Sequence, residues 1–203
     1  MQNIFKNLNT QQIEATTATE GYVRIIAGAG SGKTKTLTHR YAYLVNAVGI
    51  HPGNILCVTF TAKAAGEMKR RVRALVGEGC DNSLITTYHG FCVRVLREDI
   101  HRLLYPQSFG ILDESDQKKI LEEIYGELEI KLDRATFEKI LDRIHKIKSD
   151  ENYVMPLIQG DVQAVPVQGD DTEREVIRRY LARQKKVFGL DFDDLIAFTF
   201  ALF

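Results

Sequence analysis

The chain has 203 residues, 44% of them hydrophobic, enough for one large domain or for a domain carrying a smaller insertion. Lys plus Arg balance Asp plus Glu at 27 each, and the three cysteines, Cys57, Cys80 and Cys92, form neither a CxxC pair nor a cluster of zinc-ligand spacing. A disulfide scaffold and a zinc module are therefore excluded, and buried thiols in a reduced compartment are expected. The N-terminus has no basic-then-apolar signal pattern and no apolar run approaches membrane-helix length, so a cytoplasmic protein without a membrane partner is expected.

Charge is unevenly spread along the chain. Residues 1–105 carry 13 basic and 7 acidic side chains, whereas residues 106–203 carry 14 and 20, which points to a polyanion near the first half.

In chain order, Asn9 or Thr10 is placed to cap a short helix bearing Gln12 and Ile13, and a Gln side chain both donates and accepts, as reading an adenine edge requires. Residues 22–26 form an apolar run read as a strand. The loop Ala27, Gly28, Ala29, Gly30, Ser31, Gly32, Lys33, Thr34 follows, and then a helical stretch with Leu37, Tyr41, Leu44, Val45 and Val48 on one face. A glycine-rich turn between strand and helix is the context of a phosphate-binding loop. Its backbone N–H groups curl around a β-phosphate at the positive end of the helix. Lys33 is suited to the β- and γ-phosphates and the Thr34 hydroxyl to Mg²⁺. The pattern is met in its relaxed form, with Ala27 where Gly usually opens it.

Residues 51–54 are a turn cluster, residues 55–60 a continuous apolar run suited to a buried parallel strand, and Ala64, Ala65, Met68, Val72, Leu75 and Val76 recur with helical period. The order strand, phosphate loop, helix, strand, helix predicts an α/β fold with a doubly wound parallel sheet. Ligands gather at the carboxyl ends of such strands. Phe60, Thr61 and Lys63 lie on that rim, offering a ring to stack on a base, a hydroxyl and an ammonium for phosphate. In isolation, Phe60 reads as a core residue. A third unit repeats the pattern, with a short strand over residues 83–87 ending in Thr87, then His89 and Phe91, then a helix carrying Arg94 and Arg97.

From about residue 106 amphipathic helices replace strands, apart from a short run over 109–112. Residues 150–172 read as a long connection, and the basic side chains Lys139, Arg143, Lys146 and Lys148 read as a solvated helix face able to touch nucleic acid. Residues 106–188 form a helical subdomain on this reading. A last helix follows, capped by Asp191 or Asp193.

Together these segments resemble the N-terminal part of a superfamily 1A DNA helicase of the UvrD/Rep/PcrA type. Leu8, Asn9 and Gln12 resemble its Q motif, residues 27–34 its motif I, residues 59–68 its motif Ia and residues 87–97 its motif Ib. The resemblance implies a P-loop NTPase, RecA-like domain 1A over residues 1–105 and 189–203, interrupted by helical domain 1B over 106–188. It implies ATP and Mg²⁺ as cofactors, with Gln12 and Lys35 bordering the adenine. Phe60, Thr61, Lys63, Thr87, His89 and Phe91 would line a path for single-stranded DNA. ATP-driven 3′-to-5′ movement on single-stranded DNA and DNA junctions would need the second RecA-like domain of the parent chain. Two positions depart from the family pattern: Ala62 stands where Asn is common and Lys35 where Arg often stacks on the base.

Hydrolysis also needs a carboxylate on the metal and another to position water. The resembling family draws these from an apolar strand ending in Asp-Glu, which the chain is expected to end before. Asp113 and Glu114 have that form, but Ser115, Asp116 and Gln117 after them look like a helix start, and Asp193 and Asp194 are better suited to capping. The alternatives are a non-catalytic, nucleotide-dependent interaction module, and a P-loop ATPase unrelated to nucleic acid with Asp113 and Glu114 as its acids.

Overall fold

The computed structural model describes residues 4–80 and 83–203. The chain divides into two compact units, Met1–Tyr88 and His89–Phe203.

In the first unit, helix α1 (Thr10–Thr17) opens with a capping box. The Asn9 side chain accepts from the Gln12 N–H at 2.9 Å, and Gln12 Oε1 accepts from the Asn9 N–H at 3.1 Å. Two donors left orphaned by a helix start are thereby paired. Helix α2 (Lys33–Asn46) begins directly after the glycine-rich loop. Strands β1 (Leu56–Thr59) and β2 (Leu84–Thr87) pair in parallel, Leu56 opposite Leu84 and Thr59 opposite Thr87. Helix α3 (Ala62–Val76) makes the crossover that a parallel pair requires. Tyr41, Met68, Val72, Cys80 and Ile85 form the core of this unit.

Three expectations fail here, the first being the burial of β1, whose Leu56 is exposed and whose other residues are half-buried because few elements cover this two-stranded sheet among the described residues. Residues 22–26 form no strand, and Tyr22 and Ile26 stand exposed. An apolar parallel strand needs ladder neighbours and cover on its faces, and among the described residues none pairs with this segment. The buried face of α2 is also rotated from the apolar stripe: Leu37 and Val48 are exposed, whereas Thr36, Thr38, Tyr41 and Ala42 are buried. The two threonine hydroxyls donate to the carbonyls of Gly32 at 3.2 Å and Lys35 at 2.9 Å, so their burial leaves no polar group unpaired.

The second unit is mainly helical, with α4 (Tyr88–Asp99) leading into it, followed by α5 (Glu114–Glu127), α6 (Arg134–Lys148), α7 (Val154–Gln159), α8 (Asp171–Lys186) and α9 (Phe192–Leu202). Fully buried Leu96, Ile100, Leu121, Ile124, Ile144, Ile177 and Leu195 share one core. A two-residue strand β3 (Gly110–Ile111) pairs in parallel with β4 (Gly189–Leu190), a partner the sequence pattern does not announce. Gly189 permits this approach, because a Cβ there would meet the Leu112 side chain at 2.7 Å. Helix α7 lies inside the stretch read as a connection; its Pro156 sits in the first turn, where a missing N–H costs no intrahelical bond. Asp113 caps α5 in a second capping box with Asp116, as expected for a helix start. Among the described residues no helix is long and apolar enough to cross a membrane.

Candidate functional site

The glycine-rich loop gathers cationic and N–H donors at one place in the first unit. Gly30 and Gly32 adopt φ of +75° and +87°, the left-handed region that side-chain-bearing residues avoid. Gly32 is also the N-cap of α2 and supplies no side-chain cap, so the first N–H groups of the helix remain available to an anion. Lys33 Nζ donates to the loop's own carbonyls, Ala27 at 3.0 Å and Gly28 at 2.6 Å, and Ser31 Oγ donates to Gly28 at 2.7 Å. Thr34 is exposed in the same turn. The donor set therefore fits a phosphate: it holds an ammonium, a hydroxyl and unpaired helix N–H groups, with no carboxylate among residues 27–34.

Gln12 joins this loop to α1. Its Nε2 donates to the Ser31 carbonyl at 3.0 Å while its Oε1 serves the capping box. Lys35 Nζ donates to the Asn7 carbonyl. Arg40 NH1 donates to Ala15 at 3.0 Å and also to Ala18, which pins the end of α1 to α2. Gln12, residues 27–34 and Lys35 are thus brought together, with Asn9 the cap that its place in the sequence suggests; the contribution of Arg40 to the frame has no such signal.

The rim at the end of β1 is open. Phe60 is 89% exposed and so is not the core residue it resembles in isolation. Its ring lies 5.5 Å from that of Tyr88, tilted at 51°, and Tyr88 is itself half-exposed. Tyr88 was missed; the available signal was an aromatic directly after a strand end. Thr61 is the N-cap of α3, accepting from the Ala64 N–H at 3.1 Å, and its carbonyl accepts from Thr59 Oγ1 at 3.0 Å. Lys63 is exposed in the first turn of α3, and Thr87 ends β2. His89 and Phe91 belong to the second unit, where the His89 ring meets Phe192 edge-on at 5.0 Å. Arg97 is occupied structurally: its guanidinium lies 3.9 Å above the Phe109 ring and donates to the Gln107 carbonyl.

The basic run on α6 corrects the sequence reading. Lys148 is not solvated: its side chain is fully buried, and Nζ donates to Asp191 Oδ2 at 2.5 Å, Asp194 Oδ2 at 2.8 Å and Gln184 Oε1 at 2.9 Å. Gln117 donates to Asp191 at 2.7 Å and the Tyr153 hydroxyl to Asp194 at 2.6 Å, while Asp191 and Asp194 form the capping box of α9. Burial raises the Asp194 carboxyl to about 6, against the pull of Lys148 and reinforced by Asp191. Burial also penalises the Asp191 carboxylate, yet the Lys148 ammonium holds it below the usual range. Lys139 and Arg143 pair with Glu173 at 2.5 and 3.1 Å, and Lys146 pairs with Asp142 at 2.6 Å. Asp193 is engaged by His145.

Residues 8–203 match the family model described as the UvrD/REP helicase N-terminal domain. The chain is 40% identical over 203 residues to the ATP-dependent DNA helicase PcrA of Staphylococcus epidermidis, covering 100% of this chain and 27% of that protein. It is 39% identical to the PcrA of Bacillus subtilis, covering 98% of this chain and 26% of the relative, and 36% identical to that of Staphylococcus aureus over 100% and 27%. It therefore spans about a quarter of the length of these relatives. With the family model matching nearly its whole length, the chain belongs to the UvrD/Rep helicase family and corresponds to that family's N-terminal domain.

Proposed function

We infer that this chain is the ATP-binding portion of a 3′-to-5′ DNA helicase or translocase that moves on single-stranded DNA. The observation that carries the reading is the bond from Gln12 Nε2 to the Ser31 carbonyl at 3.0 Å, which joins an adenine-reading side chain to the phosphate loop in one site. The names of the PcrA relatives, ATP-dependent DNA helicases, agree with it. In this reading residues 1–105 and 189–203 belong to a RecA-like domain 1A and residues 106–188 to a helical domain 1B.

Bound Mg·ATP supplies the phosphoanhydride whose hydrolysis drives movement. Lys33, which donates to the carbonyls of Ala27 and Gly28, would turn to the β- and γ-phosphates, the backbone N–H groups of residues 28–34 would hold the β-phosphate, and the Thr34 hydroxyl would serve Mg²⁺. Gln12 and Lys35 border the adenine. Phe60 offers its exposed ring to a base, with Thr61, Lys63, Thr87, His89 and Phe91 along the strand's path. The carboxylates of the chain that resemble catalytic acids have other work: Asp113 caps α5, Asp191 and Asp194 hold Lys148, and Asp193 engages His145. In this reading the hydrolytic acids belong to the rest of the parent chain, as does the second RecA-like domain that would couple closure to stepping on single strands and junctions.

The test is ATP binding and turnover by this chain, with Lys33→Ala and Glu114→Gln variants. Binding that is lost in Lys33→Ala, with turnover at background in both wild type and Glu114→Gln, is the expected result. Hydrolysis by the wild type that Glu114→Gln abolishes would overturn the reading.

A further inference from the structure

Helix α3 concentrates charge in a way that neither the nucleotide loop nor the aromatic rim uses. Five of the ten basic residues in the first unit lie on it, Lys63, Lys69, Arg70, Arg71 and Arg73, against one acid, Glu67. Glu67 is taken by Arg71 one turn on. Arg73 neighbours both Lys69, four residues back, and Arg70, three residues back, on the surface of α3. Together with Cys80 and Ser83 they line a cleft of about 280 Å³. Among the described residues the acid that reaches any of the three is Glu78, 4.0 Å from Arg73, with both side chains more than half exposed, a geometry of little strength.

Helix stabilisation does not account for the cluster. A basic side chain in the last turn favours the negative end of the helix, which explains Arg73. That effect fades within the last turn, and Lys69 and Arg70 lie beyond it. Nor are these side chains needed for packing, because Ala65, Met68 and Val72 supply the buried face of α3.

The position of the cleft sets it apart from the rim. Ser83 immediately precedes β2, whereas Tyr88, the ring partner of Phe60, immediately follows it. The cleft therefore lies at the opposite end of a four-residue strand from the aromatic pair, with Ser83 and Tyr88 roughly 17 Å apart along β2.

We propose that Lys69, Arg70 and Arg73 form a second nucleic-acid contact, a sequence-independent site for the phosphodiester backbone at the end of the sheet opposite the aromatic rim. The proposal rests on the DNA-binding reading above. Planar guanidiniums bind phosphate oxygens bidentately and the Lys69 ammonium adds a point charge, so the cleft has the chemistry of backbone positioning. It presents no aromatic ring to a base. A strand or duplex arm that left the rim would find its next phosphates neutralised here.

The experiment is the salt dependence of binding a single-stranded oligothymidylate and a hairpin with a single-stranded tail. It compares wild type, the triple variant Lys69→Gln/Arg70→Gln/Arg73→Gln, Phe60→Ala, and a charge control with Lys118, Lys119 and Lys131 each changed to Gln. Gln keeps helix propensity at exposed positions, and thermal melts verify folding. Each phosphate contact contributes roughly 0.7 to 0.9 to the slope of log affinity against log salt. The expected result is a slope flattened by about 2 in the triple variant and unchanged in the charge control, together with a lower affinity but an unaltered slope in Phe60→Ala.

An unchanged slope in the triple variant, with affinity lost in Phe60→Ala, overturns the second contact and leaves the DNA reading standing. A flattened slope in the triple variant, with no effect of Phe60→Ala and no ATP binding, keeps the cleft and removes the reading it was built on. Equal flattening in the charge control, or displacement of DNA by poly-glutamate at matched charge, overturns the proposal in favour of net charge or of an acidic protein partner.

Discussion

Two lysines of this chain are held in opposite ways, and the contrast separates a site from a joint. Lys33 lies on an exposed loop and donates to two backbone carbonyls that are neutral and water-accessible. An arriving phosphate offers charge-assisted bonds in their place, so the lysine is free to exchange partners. Lys148 lies at zero exposure and gives its three protons to two carboxylates and an amide drawn from α8 and α9. Nothing that reaches it from solvent could better those bonds. The same side chain is an exposed group with exchangeable partners in the first unit and a structural pin in the second, and burial with fixed counter-charges makes the difference.

Breaking the pin has the largest expected effect. Lys148→Met leaves two carboxylates buried without their cation, a change that costs about 3–5 kcal/mol in comparable buried pairs. The near-ultraviolet circular dichroism of Tyr153 and Tyr180, both buried beside the cluster, reports it along a urea titration. Adding Asp191→Asn and Asp194→Asn recovers part of the loss, because Asn also caps helices and brings no charge. Failure of that recovery would show that the shape of Lys148, rather than its charge, holds the joint.

Acidity tests the same joint more gently. Asp194 titrates near 6 in the fold and near 4 when unfolded. The folded chain thus binds more protons between these values, and stability falls as pH rises from about 4 to 6, by up to about 3 kcal/mol. The groups around Asp194 are Lys148, Asp191, Tyr153 and Gln184. Lys148 and Tyr153 keep their protons across this range: burial works against the Lys148 ammonium but the Asp194 and Asp191 carboxylates outweigh it, and burial beside Asp194 holds the Tyr153 hydroxyl protonated. Asp191, held low by Lys148, works in the other direction and gives up its contribution only as pH falls below the usual carboxylate range. Asp194→Asn is expected to flatten the profile of urea midpoint against pH between about 4 and 6; an unchanged slope would move the titration to another group.

The exposed lysine behaves differently. Lys33→Ala is expected to weaken ATP binding tenfold or more by calorimetry, the loss of a charge-assisted contact. The thermal midpoint should stay within the small range of surface substitutions, about 0.5 kcal/mol. A variant that melts as early as Lys148→Met would erase the distinction between the two lysines.

What the sequence disclosed follows the same division. The glycine-rich loop before a helix, the Asn9–Gln12 cap and the helix start just after Asp113 and Glu114 are short-range patterns, and each is found close to where its spacing places it. β1 and β2 were legible because an apolar run followed by a helical period needs no distant partner to be recognised. Lys148 was not, since a lysine five residues after Arg143 and two after Lys146 on an otherwise charged helix looks solvated, and its carboxylates lie 43 and 46 residues further on. The pair β3 and β4 is two residues long and owes its register to tertiary approach at Gly189. Residues 22–26 carry the composition of a strand without a neighbour among the described residues to make them one.

The smallest effect is the most discriminating, because Gln12 stands between the two kinds of contact. Its Oε1 accepts from the Asn9 N–H within α1 and its Nε2 donates to the Ser31 carbonyl of the loop. Gln12→Glu keeps the acceptor and removes the donor, setting a carboxylate against a carbonyl and near the phosphates the loop would hold. Helicity of α1 by hydrogen exchange should therefore be retained, while ATP affinity drops severalfold. Asn9→Ala does the reverse: the cap is lost, at about 1 kcal/mol, and Gln12 keeps its bond to Ser31. If both variants lowered affinity and helicity together, Gln12 would act as one rigid strut between helix and loop. If they separate, each end of the amide has its own task, the helix end structural and the loop end part of the nucleotide site.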